Sequence, residues 1–206
     1  MFRFFAFCLF YLLFFHQKFR FTILFQLNSD TVYAIKKGDR KIILKLYHYT
    51  FQVLMGNAVR YTTDPETQMQ IVNNAFMKIV TNIERFQPGT AYFSWAKQIV
   101  KREIIDDFRK NKRYKELFQY NDDYKSESLI TEPETDTTFE AEELQLILNT
   151  LPPATKMVFN LYAIDGYTTA EIMEDLNISY ETVKWHMKEA RKRLRTQLNT
   201  NQLKRS

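Results

Sequence analysis

Between Ser179 and Arg195 the residue types and their spacing fit one chemistry, contact with duplex DNA. Ser179, Tyr180, Glu181, Thr182, Lys184, Trp185, Lys188 and Arg191 place hydroxyls, flat rings and cations on successive turns, and Lys192, Arg193 and Arg195 extend the positive charge. Cations of this kind hold phosphates and set register, while polar and aromatic side chains at a helix start reach base edges and methyl groups in the major groove. A basic helix end alone would equally suit a solvated face favoured by the helix macrodipole. What precedes it decides between the two.

Thr168 can cap a helix with its hydroxyl while Glu171, three residues on, reaches back to the cap's own N–H, so a helix is predicted from about Thr169. Ile172 and Leu176 share its buried face. Asn177 tolerates the left-handed backbone that a sharp turn at Leu176-Asn177-Ile178 demands. Ser179 offers a second N-cap, and Val183, Met187, Ala190 and Leu194 recur at helical spacing, which fixes the inward stripe of the next helix. Tyr180, Glu181, Lys184, Trp185 and Lys188 then point away from that stripe, at the end that enters a major groove. Two short helices with a tight turn over residues 168–194 make a helix-turn-helix.

A second block carries the chemistry of single-stranded nucleic acid, which needs a cationic track for phosphates and flat side chains or pockets for bases. Lys97, Lys101, Arg102, Arg109, Lys110, Lys112 and Arg113 outnumber Glu103, Asp106 and Asp107, and Phe86, Tyr92, Phe93 and Trp95 cluster just before them. Phe86 and Trp95 fit a core position better than a base-stacking one; Tyr92 fits either. The elements that must present this block are helices. Lys37-Gly38-Asp39 separates two of them, Asp64 caps another with Pro65 at its first position, and Met69, Val72, Phe76, Ile79 and Ile83 recur at three and four.

These segments together resemble the bacterial RNA polymerase sigma factors, in the compact extracytoplasmic-function (ECF) group of the sigma-70 family. Leu151-Pro152, Phe159, Gly166, Glu171-Ile172, Leu176-Asn177-Ile178-Ser179 and Thr182-Val183-Lys184 match the fourth sigma domain. Thr31 to Arg113 matches the second, with its Trp-helix from Phe93 to Arg102 and its terminal Asp-x-x-Arg, here Asp106 to Arg109. The resemblance implies that Ser179, Tyr180, Glu181, Thr182, Lys184, Trp185, Lys188 and Arg191 bind the minus-thirty-five element. It implies that Gln87, Tyr92, Trp95, Lys97, Lys101, Arg102, Arg109 and Lys112 serve the minus-ten element, where the loop Gln87-Pro88-Gly89-Thr90-Ala91 would capture a flipped base at an unstacking cost. Core polymerase binding is implied for Gln70, Asn73 and Asn74. Gln70 stands where many relatives carry Asp and Asn73 where they carry Gln, so hydrogen bonding is kept without charge assistance to polymerase arginines. Arg102 stands where relatives often carry Asn, and suits phosphate contact.

Between the two blocks, Tyr114 to Glu143 holds a strong excess of Asp and Glu over Lys115 and Lys125, with a polar middle from Tyr120 to Thr138 that cannot bury enough apolar surface to order itself. The expected fold class is therefore all-α: two small helical domains joined by a flexible acidic linker. The expected bounds are 28–113 for the first domain, 114–138 for the linker, 139–198 for the second and 199–206 for a tail. With 206 residues, 4 glycines and 5 prolines there are few turn-formers, and alternating strand patterns are scarce. The formal charge of +5 understates two basic lobes around an acidic tether.

One cysteine excludes an internal disulfide and a cysteine-based zinc site, and His16, His48 and His186 are scattered. No nucleophile elbow or phosphate-cradling glycine loop occurs, so no enzyme, metal or cofactor is expected. The expected partners are core RNA polymerase and promoter DNA, with an anti-sigma protein implied by the resemblance and a monomer when free. A free-standing helix-turn-helix regulator and a membrane-tethered one are the alternatives. The second arises from residues 1–27, where Phe4 to Phe15 is an unbroken apolar run, too short to span a bilayer and lacking a small-residue cleavage site. Three readings stay open there: a start assigned too early, a segment packing on the body, or an interfacial anchor over 4–25. The first is favoured, and with it a cytoplasmic location.

Overall fold

The structure, a computed structural model, describes Phe25, residues 27–110 and residues 141–203. The apolar run at 4–15, Lys112 and the linker at 114–138 lie outside the described residues. Every regular element among those described is a helix, as the scarcity of strand patterns requires.

Local caps set the boundaries. Helix α1 spans Ser29–Lys36, and the Asn28 side chain accepts the Thr31 N–H at 2.9 Å. Gly38 takes φ +80°, the left-handed turn that lets the chain reverse, and Asp39 Oδ1 accepts the N–H of Lys41 at 2.9 Å to start α2, Arg40–Tyr61. Helix α3 runs Pro65–Thr81, with Asp64 accepting the Thr67 N–H at 2.9 Å and Pro65 filling a position whose N–H would have no helical partner. A 3₁₀ turn, Ile83–Arg85, leads to α4, Tyr92–Lys110. Beyond the undescribed stretch come α5, Ala141–Leu148, and α6, Pro153–Phe159. Helix α6 passes into a π-helical turn, Asn160–Ile164; α7, Thr169–Leu176, and α8, Tyr180–Leu203, follow. Helix α8 thus carries helical backbone into residues that the sequence assigned to a tail.

The described residues form two compact units. The first takes residues up to Met55 together with Val72–Val100, and the second takes Gly56–Ile71 with Lys101 onward. Packing therefore groups the ends of α2 and α4 and the first turns of α3 with the C-terminal helices, a division that the charge pattern did not suggest. In the first unit Leu46, Leu54, Val72, Ile79 and Val100 are fully enclosed. Tyr47 meets Phe76 edge-on at 4.9 Å between ring centroids, and Phe86 meets Tyr92 the same way at 5.5 Å.

In the second unit α8 lies against α5, α6 and α7. Val183, Met187 and Ala190 are buried, and Leu194 is half-buried against a cluster of Leu148, Leu151 and Ala190, so the inward stripe read from the sequence is the one the fold uses. Leu161, Ile172 and Leu176 are sealed beneath it, each contributing about 1.5–3 kcal/mol.

Candidate nucleic-acid interface

The helix-turn-helix is built from its caps outward. Glu171 N–H donates to Thr168 Oγ1 at 3.2 Å while the Thr168 N–H donates to the Glu171 carboxylate at 2.8 Å, closing the reciprocal box. The Thr168 N–H, and then its hydroxyl, which donates to the same carboxylate at 2.7 Å, hold the Glu171 carboxyl below its ordinary pKa. Asn177 takes φ +45° and ψ +51°, the left-handed stop, and Ser179 Oγ then accepts the Thr182 N–H at 3.2 Å to open α8. The first turns of α8 present Ser179, Tyr180, Glu181, Lys184 and Lys188 to solvent, with Arg191 further along, while Thr182 and Trp185 are half-buried. Lys184 Nζ sits 5.6 Å over the Tyr180 ring. Beneath this face His186 is buried, sharing a 3.0 Å hydrogen bond between Nδ1 and Thr155 Oγ1, and burial pushes its pKa down to about 4 against a weaker pull upward from Glu189.

On α4 the candidate side chains divide. In the first unit Gln87 is exposed in the loop before the helix, where Gly89 takes φ +92°, and Lys97 is exposed on the helix. Tyr92 is buried with its hydroxyl 2.6 Å from Thr50 Oγ1, and burial raises its pKa; Trp95 is half-buried with its ring 5.6 Å from that of Phe86. Tyr92 is thus a core ring, as Phe86 is, while Trp95 keeps part of its surface exposed. In the second unit Arg102 and Arg109 are exposed and Lys101 is half-buried. At 100° per residue Lys97, Lys101, Arg102 and Arg109 fall within an arc of about 140°. Buried Ile105 lies inside the same arc.

Lys101 turns inward for a reason the sequence did not disclose. Asp165, at the end of the π turn, accepts a salt bridge from Lys101 Nζ at 3.2 Å and another from Arg60 Nη2 at 3.1 Å, both on Oδ1, while the Tyr61 hydroxyl donates to Oδ2. Asn160 Nδ2 donates to the Arg60 carbonyl at 2.7 Å, and Arg60 Nη2 also donates to Asn57 Oδ1 at 2.6 Å. Burial, then the Asp165 charge and its hydrogen bond, drive the Tyr61 pKa far upward. Lys101 Nζ also lies 5.5 Å over the Tyr167 ring. Arg60, Tyr61, Asn160 and Asp165 stood in no sequence-level candidate set, because pairs such as Tyr61 and Asp165 lie 104 residues apart and no spacing rule reaches that far.

On α3, Gln70, Asn73 and Asn74 are exposed and spaced three and four apart, one face of the helix, and Met77, 58% exposed, continues it. Asn73 Oδ1 accepts the Tyr47 hydroxyl at 3.4 Å. Among the described residues no cluster of His, Cys, Asp and Glu could hold a metal ion, and no helix is long and apolar enough to cross a membrane.

Comparison with known proteins bears on the whole of this arrangement. The chain is similar to the ECF RNA polymerase sigma factor EcfG of Rhodopseudomonas palustris (strain TIE-1), 23% identical over 141 residues that cover 68% of this chain and 76% of that protein. Among solved structures it is similar to the sigma factor RpoE of Bartonella quintana in its complex with the anti-sigma factor NepR, with a TM-score of 0.44, 21% identity and coverage of 73% and 94% of the two chains. It is also similar to CnrH in complex with the cytosolic domain of CnrY, with a TM-score of 0.42, 16% identity and coverage of 82% and 96%. The ECF sigma factor profile matches residues 28–200, a span that takes in both the α4 cations and the helix-turn-helix, and the chain belongs to that family.

Proposed function

We propose that this ECF sigma factor, which binds core RNA polymerase and directs promoter-specific initiation without being an enzyme itself, divides that work among three surfaces. The first turns of α8, through Tyr180, Glu181, Lys184, Trp185 and Lys188 with Ser179, Thr182 and Arg191, read the minus-thirty-five element. The loop at Gln87 and the α4 cations Lys97, Lys101, Arg102 and Arg109, continued by Lys112, engage the opened minus-ten strand, with Tyr92 and Trp95 shaping the loop from behind. The α3 face of Gln70, Asn73 and Asn74 meets core polymerase. The observation that carries this reading is the span of the family match, residues 28–200, across a helix-turn-helix whose caps are all made. A free-standing regulator would account for α7 and α8 but not for the match upstream of them.

A cytoplasmic site of action belongs to the same proposal, as does restraint by an anti-sigma protein; both rest on family membership alone. Fractionation of the full-length chain tests the location, since recovery in the membrane pellet would assign residues 4–25 an anchoring role. The division of labour is tested by selecting promoters with reconstituted holoenzyme from a random library. Wild type should return two separated sequence blocks, and Tyr180→Ala should alter only the upstream block. A single block, or an unaltered upstream block, would contradict the assignment.

A further inference from the structure

The Asp165 cluster has no place in the division of labour just given, yet it consumes one of its cations. Asp165 is almost fully enclosed, with 5% of its side chain exposed, and its carboxylate meets Arg60, Lys101 and Tyr61 together. Arg60 and Lys101 keep 23% and 17% of their side chains exposed. A buried ion pair seldom stabilises a fold beyond what apolar packing would supply, because desolvating the charges offsets most of their attraction. The local backbone is also unusual. The chain leaves α6 through a π turn in which the Asp165 N–H donates to the Asn160 carbonyl at 2.9 Å, and Gly166 at φ +75° ends it. Such wide turns recur at functional positions. Satisfaction is incomplete: among the described residues neither Arg60 Nε nor Asn160 Oδ1, both buried, has a hydrogen-bond partner, which leaves the arrangement above its best energy.

The neighbouring acids point the same way. Asp175 on α7 has its carboxyl pKa raised by burial and by Glu174, and partly pulled back by the charges of Arg109 and Arg102. So acids from the C-terminal helices face Lys101 in direct contact and Arg102 and Arg109 at longer range.

We propose that Asp165 is an internal substitute for a nucleic-acid phosphate: its carboxylate holds Arg60 and Lys101 in a closed form, and the α4 cations become available to the promoter strand only when that carboxylate leaves. The inference rests on the assignment of Lys101 to the minus-ten strand. A carboxylate and a phosphate oxygen compete for the same ammonium group, so release of one is linked to binding of the other. The apparent affinity for single-stranded DNA is lowered by the fraction of molecules held closed, and removing the acid restores it.

The test uses the full chain without polymerase, a fluorescent single-stranded 20-mer as probe, and amide hydrogen exchange over residues 57–61 and 160–167. Asp165→Asn should tighten 20-mer binding by roughly three- to tenfold and speed exchange in both segments. In a Lys101→Met background the same substitution should tighten binding by a smaller factor, because Lys101 is then missing from the released cations while Arg102 and Arg109 remain. Tyr61→Phe, which keeps all the charges, should move both readouts in the same direction by a smaller factor. Unchanged affinity with unchanged exchange would overturn the proposal. If Asp165→Asn loosens the whole chain, Tyr61→Phe decides, and an unchanged or weakened affinity there would overturn it as well. Failure of the promoter assignment is separable: exchange would still quicken, while Lys101→Met alone would leave 20-mer binding intact.

Discussion

Lys184 and Lys188 lie on the exposed side of α8 near its start, where a helix docked in a groove brings its cations to the phosphates. Each phosphate contact releases condensed counterions, so Lys184→Ala and Lys188→Ala should weaken binding to upstream-element DNA and each reduce the slope of log affinity against log salt by about 1. A slope equal to wild type would remove them from the phosphate contacts. His186 makes a different kind of prediction. Its pKa falls from 6.5 to about 4 on folding, so between those values the unfolded chain takes up a proton that the folded chain refuses. Stability should therefore decline as pH drops from about 6.5 toward 4 and level off below that. Denaturation midpoints across this window measure it, and His186→Gln should flatten the profile; an equally steep profile in the variant would assign the loss to other groups. The sequence singled out the lysines by type and spacing, whereas the burial of His186 against Thr155, 31 residues away, was not legible from either.

Among the elements, α7 and the start of α8 were the most legible because residues acting within four positions begin and end α7 and begin α8. Thr168 with Glu171, Asn177 and Ser179 are local signals, and the structure uses all of them as read. Thr168→Ala should cost about 1 kcal/mol of stability in chemical denaturation by leaving backbone donors at the start of α7 without their acceptor. Asn177→Val should cost about 1–2 kcal/mol, since a β-branched residue resists the left-handed backbone held there, while Asn177→Gly should be close to neutral. Equal stability of the Val and Gly variants would show that the turn reshapes without strain. Less was legible where an element's role depends on partners far along the chain. Tyr92 reads equally as an exposed ring or a core ring until Thr50 and Phe86 are seen around it. The π turn after α6 leaves no sequence signature, because Asn160 to Ile164 continue the helical pattern and only the hydrogen bond to Asp165 reveals the wider loop.

At the scale of the molecule, the all-α class follows from composition and holds among the described residues. Membership of the ECF sigma family unites surfaces that a residue-by-residue reading can only place side by side. What the charge pattern could not convey is that the ends of α2 and α4 pack in one unit with the C-terminal helices, since Asn160 reaches Arg60 and Asp165 reaches Lys101 across long stretches of sequence. As a member of that family, this chain gives core polymerase its promoter choice. Run-off transcription with purified core polymerase on a promoter selected by the holoenzyme tests it most directly. Transcripts of defined length should appear only when the chain is added, and should fall at least tenfold with Lys184→Ala and Lys188→Ala combined; a chain that joins no core and starts no transcript would contradict it.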